Sequence, residues 1–277
     1  MRPAEVVRRG AGYLERHDVD QPLATAEVLL ASILGTDRTG LYLSDEGLSS
    51  AQARRFGRAL CRRCAGTPTQ YLTGEQGFRR LVLTVRPGVF IPRPETEIVV
   101  DAALEAIADA TTPIVVDVGT GTGAIALSIA LEHPGARVVA TDASPEAVAL
   151  ASEHARRFGL SVEVRLGDLL EPVRGDLAGF VDLVVSNPPY VEPGDVETLP
   201  ADVRADPVVA LAGGLAVYER LAAQARACLR ARGALVVEIG DEQGEAVVGA
   251  LRAAGFTDVR VRPDLAGRDR VVEGRRP

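Results

Sequence analysis

Apolar residues recur along the chain with two different periods. Over residues 4–66 they repeat at helical spacing, as in Val6 and Leu14, which predicts three or four short helices. From residue 68 to residue 92 they alternate instead, which predicts a β-hairpin with its turn at Arg86-Pro87-Gly88. The N-terminal pattern therefore indicates a small helical domain followed by a hairpin.

The rest of the chain alternates short apolar runs with helical segments. The runs have the length of buried strands, so this order predicts a mostly parallel α/β sheet. Strands are expected at 113–118, 137–141, 162–166, 181–185 and 234–239, and near Val259 and Val271. Helices are expected from Pro94 to Leu104, from Ala124 to about Leu131, from Ser144-Pro145 onward, and over 217–229 and 242–254. The predicted domains are a helical domain at 1–67, a hairpin linker at 68–93 and an α/β domain at 94–277.

Three of the predicted strands end at residues that could bind a ligand, and in open α/β sheets ligands lie outside these carboxyl ends. The strand at 113–118 leads into a glycine-rich turn, whose glycines let a ligand approach the backbone closely. The next strand ends at Asp142, where folds of this type accept ribose hydroxyls. The third is followed by Asp168 and Leu169, where the acid could accept a hydrogen bond from an exocyclic amine. The residues of the glycine-rich turn are Gly119, Thr120, Gly121, Thr122 and Gly123.

The fourth strand leads into Ser186-Asn187-Pro188-Pro189-Tyr190. The two prolines fix two φ angles, so this turn should be stiff and extended. It offers the Asn187 side-chain oxygen and the Pro188 carbonyl as acceptors, and Tyr190 offers a flat face. Two acceptors can hold both hydrogens of a planar NH2 group while the ring stacks on its plane. The alternative for this stretch alone is a strand-end turn with a capping Asn and a packed Tyr.

Composition and charge narrow the choice of function. The 277-residue chain is 47% hydrophobic, which is enough for a sizeable core, and its net charge of −7 argues against non-specific binding to nucleic acid. A basic stretch is either a solvated helix face or a partner-docking surface; it comprises Arg54, Arg55, Arg58, Arg62 and Arg63. The start of the chain lacks the apolar core of a signal peptide, and no apolar run reaches the length of a membrane span. We therefore expect a cytoplasmic protein.

The cysteines give weaker signals. Cys61 and Cys64 have metal-like spacing, but there is no second pair, so the ligand set for zinc would be incomplete. Three cysteines in a chain expected to be cytoplasmic do not suggest a disulfide framework. No metal site is expected.

With these motifs in place, the chain resembles the class I S-adenosylmethionine-dependent methyltransferases, and specifically the family that methylates the glutamine side-chain amide of peptide chain release factors. The resemblance covers nearly the whole chain. The glycine turn is typical of the superfamily, and Asn-Pro-Pro-Tyr is typical of transfer to a planar amine or amide nitrogen. The segment Pro-Arg-Pro-Glu-Thr-Glu, which follows a helical N-terminal domain, narrows the resemblance to this family. The matching segments are 68–74, 91–97, 117–127 and 186–190.

This resemblance implies a Rossmann-like sheet with an antiparallel last strand, and a role for each candidate residue. Gly119 to Gly123 would wrap the methionine part of S-adenosylmethionine, Asp142 would bind its ribose, and Asp168 and Leu169 its adenine. Phe90 would form the wall between cofactor and substrate. The target amide would be held by Asn187, Pro188, Pro189 and Tyr190, and Asn187 would also contact the cofactor. Asn187, Pro188 and Tyr190 would be the catalytic residues.

The resemblance also implies a partner. The N-terminal helices and hairpin would bind a release factor whose target glutamine follows two glycines in a loop tip, and no direct contact with nucleic acid or membrane is expected. Two residues depart from the family pattern: Asp206 stands where a Glu often precedes Pro207, and Leu169 where some members have Trp.

Two other functions remain open from the residues. One is methylation of exocyclic amines on DNA or RNA bases, which would use the same Asn-Pro-Pro-Tyr geometry on a flipped base. The other is a non-catalytic cofactor-binding protein that assists translation.

Overall fold

A computed structural model describes all 277 residues, which form two compact units. The first comprises residues 1–75 and 199–205, and the second comprises residues 76–198 and 206–277. No helix in either unit is both long and apolar enough to span a membrane.

The first unit is helical, as the periodicity predicts. Its apolar core includes Leu14, Leu30 and Phe56, which lie on three different helices. Ser49 caps the fourth helix, because its hydroxyl accepts the N–H of Gln52 while the Gln52 side chain accepts the N–H of Ser49. The helices are α1 (Pro3–Glu15), α2 (Pro22–Leu34), α3 (Arg38–Leu43), α4 (Ser50–Cys64) and α5 (Thr69–Thr73).

The second unit contains a two-stranded sheet and a seven-stranded sheet. The two-stranded sheet consists of β1 (Glu75–Phe78) and β2 (Leu81–Thr84), with Glu75 at the unit boundary. The large sheet consists of β3 (Ile114–Val118), β4 (Arg137–Asp142), β5 (Val162–Leu166), β6 (Val181–Ser186), β7 (Leu229–Glu238), β8 (Thr257–Pro263) and β9 (Asp269–Arg275). Its helices are α6 (Glu97–Ala106), α7 (Ala124–Glu132), α8 (Pro145–Phe158), α9 (Arg174–Leu177), α10 (Val208–Leu211), α11 (Gly214–Cys228) and α12 (Gly244–Ala253). Short 3-10 turns lie at Pro94–Thr96, Glu171–Val173 and Val196–Thr198.

The strand order of the large sheet is β5-β4-β3-β6-β7-β9-β8. The pairs from β5 to β7 are parallel, and only β9 runs against its neighbours on both sides. The α/β class, the mostly parallel sheet and the antiparallel last strand are therefore confirmed. Central β3 is flanked by β4 and β6, with Val118 paired to Thr141 on one side and to Ser186 on the other. This register brings the glycine turn, the end of β4 and the Asn-Pro-Pro-Tyr turn to the same edge of the sheet.

The hairpin is present, but the predicted position of its turn is wrong. The chain reverses at Arg79 and Arg80, and residues 85–91 are not in a strand. Arg79 has a φ of 49°, and its guanidinium group is held by Glu132 at 2.6 Å and by Asp101 at 2.6 Å. Val85, Val89 and Ile91 are nonetheless buried. These apolar positions therefore mark the buried side chains of an irregular segment. In the sequence, such a pattern cannot be told from that of a strand.

Candidate active site

The glycine turn is fastened to the end of the neighbouring strand β4. The N–H groups of Gly119 and Thr120 both donate to the carbonyl of Thr141, at 2.8 and 3.0 Å. The N–H of Gly121 donates to the carboxylate Oδ2 of Asp142 at 2.9 Å. The glycine turn and Asp142, which the sequence analysis assigned to the same cofactor, are thus in direct contact.

The shape of this turn suits a ligand that approaches the backbone. Gly119, Gly121 and Gly123 have φ angles of 70°, 55° and 85°, a region that glycine adopts readily. A Cβ atom added at Gly119 or Gly121 would meet no atom within 4 Å, whereas one at Gly123 would lie 3.0 Å from Leu127. The first two glycines therefore border open space that a cofactor can fill, and the third lets α7 pack closely.

Asp142 holds the loops on both sides of it. Its Oδ1 accepts the N–H of Ser144 at 2.9 Å, and its Oδ2 accepts the N–H of Gly121. Burial raises the pKa of this carboxyl group above its ordinary value, and the backbone donors oppose that rise. Because each carboxylate oxygen can accept more than one hydrogen bond, Asp142 can still accept from a ribose hydroxyl.

Asp117 lies beneath the glycine turn and was given no role by sequence reasoning. It is fully buried, and its Oδ2 accepts the Thr120 hydroxyl at 2.6 Å and the Ala126 N–H at 3.1 Å. Burial raises the pKa of Asp117 to about 7, and its Oδ1 has no hydrogen-bond partner in the protein. The sequence did carry one signal for it, an acid in the penultimate position of a strand that leads into a glycine turn.

The turn after β5 packs beside the carboxyl end of β4. The Thr141 hydroxyl donates to the Leu169 carbonyl at 2.8 Å, and Leu169 has a φ of 47°. The half-exposed carboxylate of Asp168 forms an ion pair with Arg220. Asp168 and Leu169 thus lie beside the end of β4, and their contact with an adenine stays a prediction.

The Asn-Pro-Pro-Tyr turn is held firmly from several sides. The Ser186 hydroxyl donates to the Val118 carbonyl at 2.7 Å, and Gln243 donates to the Tyr190 carbonyl at 2.8 Å. A Cβ at Gly213 would lie 2.1 Å from the Pro189 carbonyl oxygen, so only glycine fits there. The expected stiffness of this turn thus has a structural cause beyond its two prolines.

Contacts of Asn187 define which way its side-chain amide points. Its Nδ2 donates to the hydroxyl oxygen of buried Thr96 at 3.1 Å. The Thr96 hydroxyl also lies near the carboxyl group of Glu238 and lowers the pKa of that group. The Asn187 side-chain oxygen therefore faces away from Thr96 and is free to accept.

Glu238 and Tyr190 sit in a poorly solvated environment. Glu238, at the carboxyl end of β7, is 1% exposed, and burial raises its pKa to about 7. Burial, with a smaller contribution from Glu238, raises the pKa of Tyr190 to about 12, so its hydroxyl stays neutral. Sequence reasoning missed Glu238 and Thr96, although Glu238 follows the same strand-end rule that identified Asp142.

Phe90 is positioned by an ion pair. The Arg93 guanidinium lies 5.3 Å from the centre of the Phe90 ring, a cation–π distance. Arg93 donates to Asp206 at 2.5 Å, and the Ile91 N–H donates to the other oxygen of that buried carboxylate at 3.3 Å. Asp206, noted in the sequence only as a departure from the family pattern, therefore anchors the segment that carries Phe90.

We expect Asp206→Ala to lower the free energy of unfolding by about 1–3 kcal/mol, because it leaves the Ile91 N–H and Arg93 without their acceptor. Asp206→Asn keeps one acceptor oxygen and should lose less. Urea denaturation of both variants measures the difference. Equal stability of Asp206→Ala and the parent would contradict this account of Phe90.

The cysteine pair lies on α4 in the first unit. Cys61 and Cys64 are free thiols, and the Cys61 sulfur lies 3.8 Å from the Tyr13 hydroxyl. No group of three or more His, Cys, Asp or Glu side chains in the described chain could hold a metal ion.

Comparisons with known proteins identify the family. Residues 5–74 match the PrmC N-terminal domain, and residues 81–202 match the methyltransferase small domain. A release factor glutamine methyltransferase of Moorella thermoacetica is 46% identical to this chain, and the aligned region covers 96% of this chain and 94% of the relative. One from Deinococcus radiodurans is 41% identical over 100% of this chain and 99% of its own. The crystal structure of the hMettl16 catalytic domain in complex with the MAT2A 3'UTR hairpin 6 has a TM-score of 0.57 over 82% of each chain; at 14% identity this shows a shared fold alone. The chain therefore belongs to the release factor glutamine methyltransferase family.

Proposed function

We propose that the protein transfers a methyl group from S-adenosylmethionine to the side-chain amide nitrogen of the glutamine in the Gly-Gly-Gln loop of peptide chain release factors. The observation that carries this proposal is the orientation of Asn187. Its Nδ2 is engaged by Thr96, so its side-chain oxygen is left to accept from a substrate NH2 group. The full-length relatives named for this activity support the same conclusion.

The residues at the sheet edge fit the cofactor. The open space above Gly119 and Gly121 would accommodate its methionine part, and the carboxylate of Asp142 would bind its ribose. Asp168 and Leu169 are the candidates for the adenine. When bound, S-adenosylmethionine supplies an electrophilic methyl group on a positively charged sulfur.

The protein must make a weak nucleophile react. An amide nitrogen is poorly nucleophilic because its lone pair is delocalised into the carbonyl. We infer that the Asn187 oxygen and the Pro188 carbonyl accept its two hydrogens, which raises the electron density on nitrogen. Tyr190 would stack on the amide plane and Phe90 would wall the pocket, so these residues would hold the nitrogen ready for the methyl group that a bound cofactor supplies. The methylated nitrogen would carry one surplus proton, which it would lose to solvent because it is then far more acidic than the amide.

The substrate protein would be bound by the N-terminal helical domain. Four arginines on α4 are exposed and form a basic face that could dock an acidic surface of the release factor: Arg54, Arg55, Arg58 and Arg62. Arg63, by contrast, pairs with Asp202 at 3.0 Å within the same unit. We place the reaction in the cytoplasm, where release factors act on ribosomes.

The proposal is tested by incubating the pure protein with labelled S-adenosylmethionine and a purified release factor. We expect label on the wild-type factor and none on a factor whose Gly-Gly-Gln glutamine is replaced by alanine. Parallel incubations with single-stranded DNA and RNA test the base-methylating alternative, which the net charge of −7 disfavours. Label on nucleic acid only, or cofactor binding with no label on any substrate, would overturn the proposal.

A further inference from the structure

His154 on α8 lies outside the proposed methyl-transfer pocket, yet both of its ring nitrogens are engaged. The side chain is fully buried. Its Nδ1 lies 2.8 Å from the carbonyl oxygen of Thr122 in the glycine turn. Its Nε2 lies 3.1 Å from the backbone nitrogen of Thr84 at the end of β2. One imidazole therefore bridges two segments that are distant in sequence.

The backbone partners determine the protonation state of this ring. The Thr84 N–H can only donate, so Nε2 must accept and carries no proton. The Thr122 carbonyl can only accept, so Nδ1 must carry the proton. Only the neutral imidazole with its proton on Nδ1 satisfies both contacts, since protonation of Nε2 would set two donors against each other.

Each bridged segment leads to a part of the proposed site. Thr122 belongs to the glycine turn that borders the cofactor space. Thr84 ends β2, directly before the irregular segment that runs to Phe90, and Val89 in that segment packs against Ala147 and Leu150 of α8. The position of His154 thus links the cofactor side of the pocket to its substrate wall.

We propose that His154 is a positioning residue for methyl transfer, whose neutral ring holds the glycine turn and the Phe90 segment in one fixed arrangement. This inference rests on the proposed function, because it gives the two bridged segments their roles. The histidine touches neither the methyl group nor the amide and acts only through Thr122 and Thr84.

The surroundings of the ring favour its neutral form. Burial is the main cause that lowers the pKa of His154, and the charges of Arg157 and Arg86 lower it further. The hydrogen bond to Thr122 and the charge of Glu153 oppose this shift. Glu153 is itself paired with Arg86 at 2.8 Å. Because the folded protein binds the neutral ring, the bridge is intact above the ordinary pKa of about 6.5 and is lost as the pH falls through the lowered folded value.

Two substitutions separate the two contacts. In His154→Gln the terminal amide reaches the Nε2 position and can accept from Thr84, but nothing donates to Thr122. In His154→Asn the shorter amide takes the Nδ1 position and can donate to Thr122, but the Thr84 contact is lost. We expect His154→Gln to weaken binding of S-adenosylhomocysteine about tenfold, the size of one lost hydrogen bond. We expect His154→Asn to bind it like the parent but to lose about tenfold in kcat/KM for the release factor.

Calorimetry with S-adenosylhomocysteine and a labelled-methyl assay provide the two readouts. His133→Gln and His133→Asn are the matched controls, because the Nε2 of that histidine contacts the Ala110 carbonyl at 3.0 Å, away from the glycine turn. Both controls should leave cofactor binding unchanged. The loss of kcat/KM as the pH falls below about 6.5 should be smaller in both His154 variants than in the parent, and the part that remains is due to Asp117 and Glu238.

Unchanged cofactor affinity in His154→Gln, or equal losses in the two His154 variants, would overturn the inference. So would an acidic limb in both variants that is as large as in the parent. Binding of S-adenosylhomocysteine does not depend on which substrate is methylated, so failure of the parent to label a release factor would count against the proposed function alone.

Discussion

Asn187→Ala is expected to lower the rate of methyl transfer by about two or more orders of magnitude, as for the loss of a group that stabilises the transition state. The alanine removes the acceptor that orients the substrate nitrogen and leaves the Thr96 hydroxyl without the donor that it meets at 3.1 Å. Affinity for S-adenosylhomocysteine should stay nearly unchanged, because the glycine turn and Asp142 are untouched. Single-turnover assays with labelled cofactor measure the rate, and calorimetry measures the affinity.

Thr96→Val tests whether the orientation of Asn187 matters as much as its presence. Valine has a similar shape but cannot accept from Nδ2, so the amide of Asn187 is free to flip. We expect a smaller loss of rate than in Asn187→Ala, again with cofactor affinity retained. Full activity of Asn187→Ala would remove the basis of the proposed mechanism, and full activity of Thr96→Val would show that other contacts orient the amide.

The fold could be predicted because the apolar pattern, the helix-capping residues and the rules for parallel sheets all indicate the same elements. The apolar runs at β3 and β6 are buried strands, and Ser144 with Pro145 begins α8 as expected from their capping chemistry. Parallel strands place their carboxyl ends on one edge, so residues far apart in sequence could be assigned to one site. The contact between Gly121 and Asp142 follows from that rule.

What the sequence could not show are the partners of the site residues. Thr96, Asp206 and His154 act through contacts with groups far along the chain, and no local pattern marks such pairs. The misplaced hairpin turn has a related cause. Arg79 turns the chain because three acidic residues hold it from elsewhere in the fold. Pro87-Gly88 does form a turn, as its residues predict, but this turn lies in the irregular segment after β2 and joins no strands.

Gly121→Ala is expected to weaken binding of S-adenosylhomocysteine by at least about tenfold, or ~1.4 kcal/mol. At a φ of 55° the new Cβ would project into space where no protein atom lies within 4 Å, so any loss of affinity reports a ligand in that space. The backbone cost of an alanine in the left-handed region, roughly 1–2 kcal/mol, should appear separately in the free energy of unfolding.

Gly159→Ala is the matched control for this substitution. Gly159 has a φ of 65°, ends α8, and would also have no atom within 4 Å of an added Cβ. Urea denaturation should therefore show similar losses of stability in both variants, while calorimetry should show reduced cofactor affinity in Gly121→Ala only. Equal affinity in the two variants would mean that the space above Gly121 is not where the cofactor binds. In that case the open turn would be explained by backbone geometry alone, and the assignment of Gly119 to Gly123 would have to be abandoned.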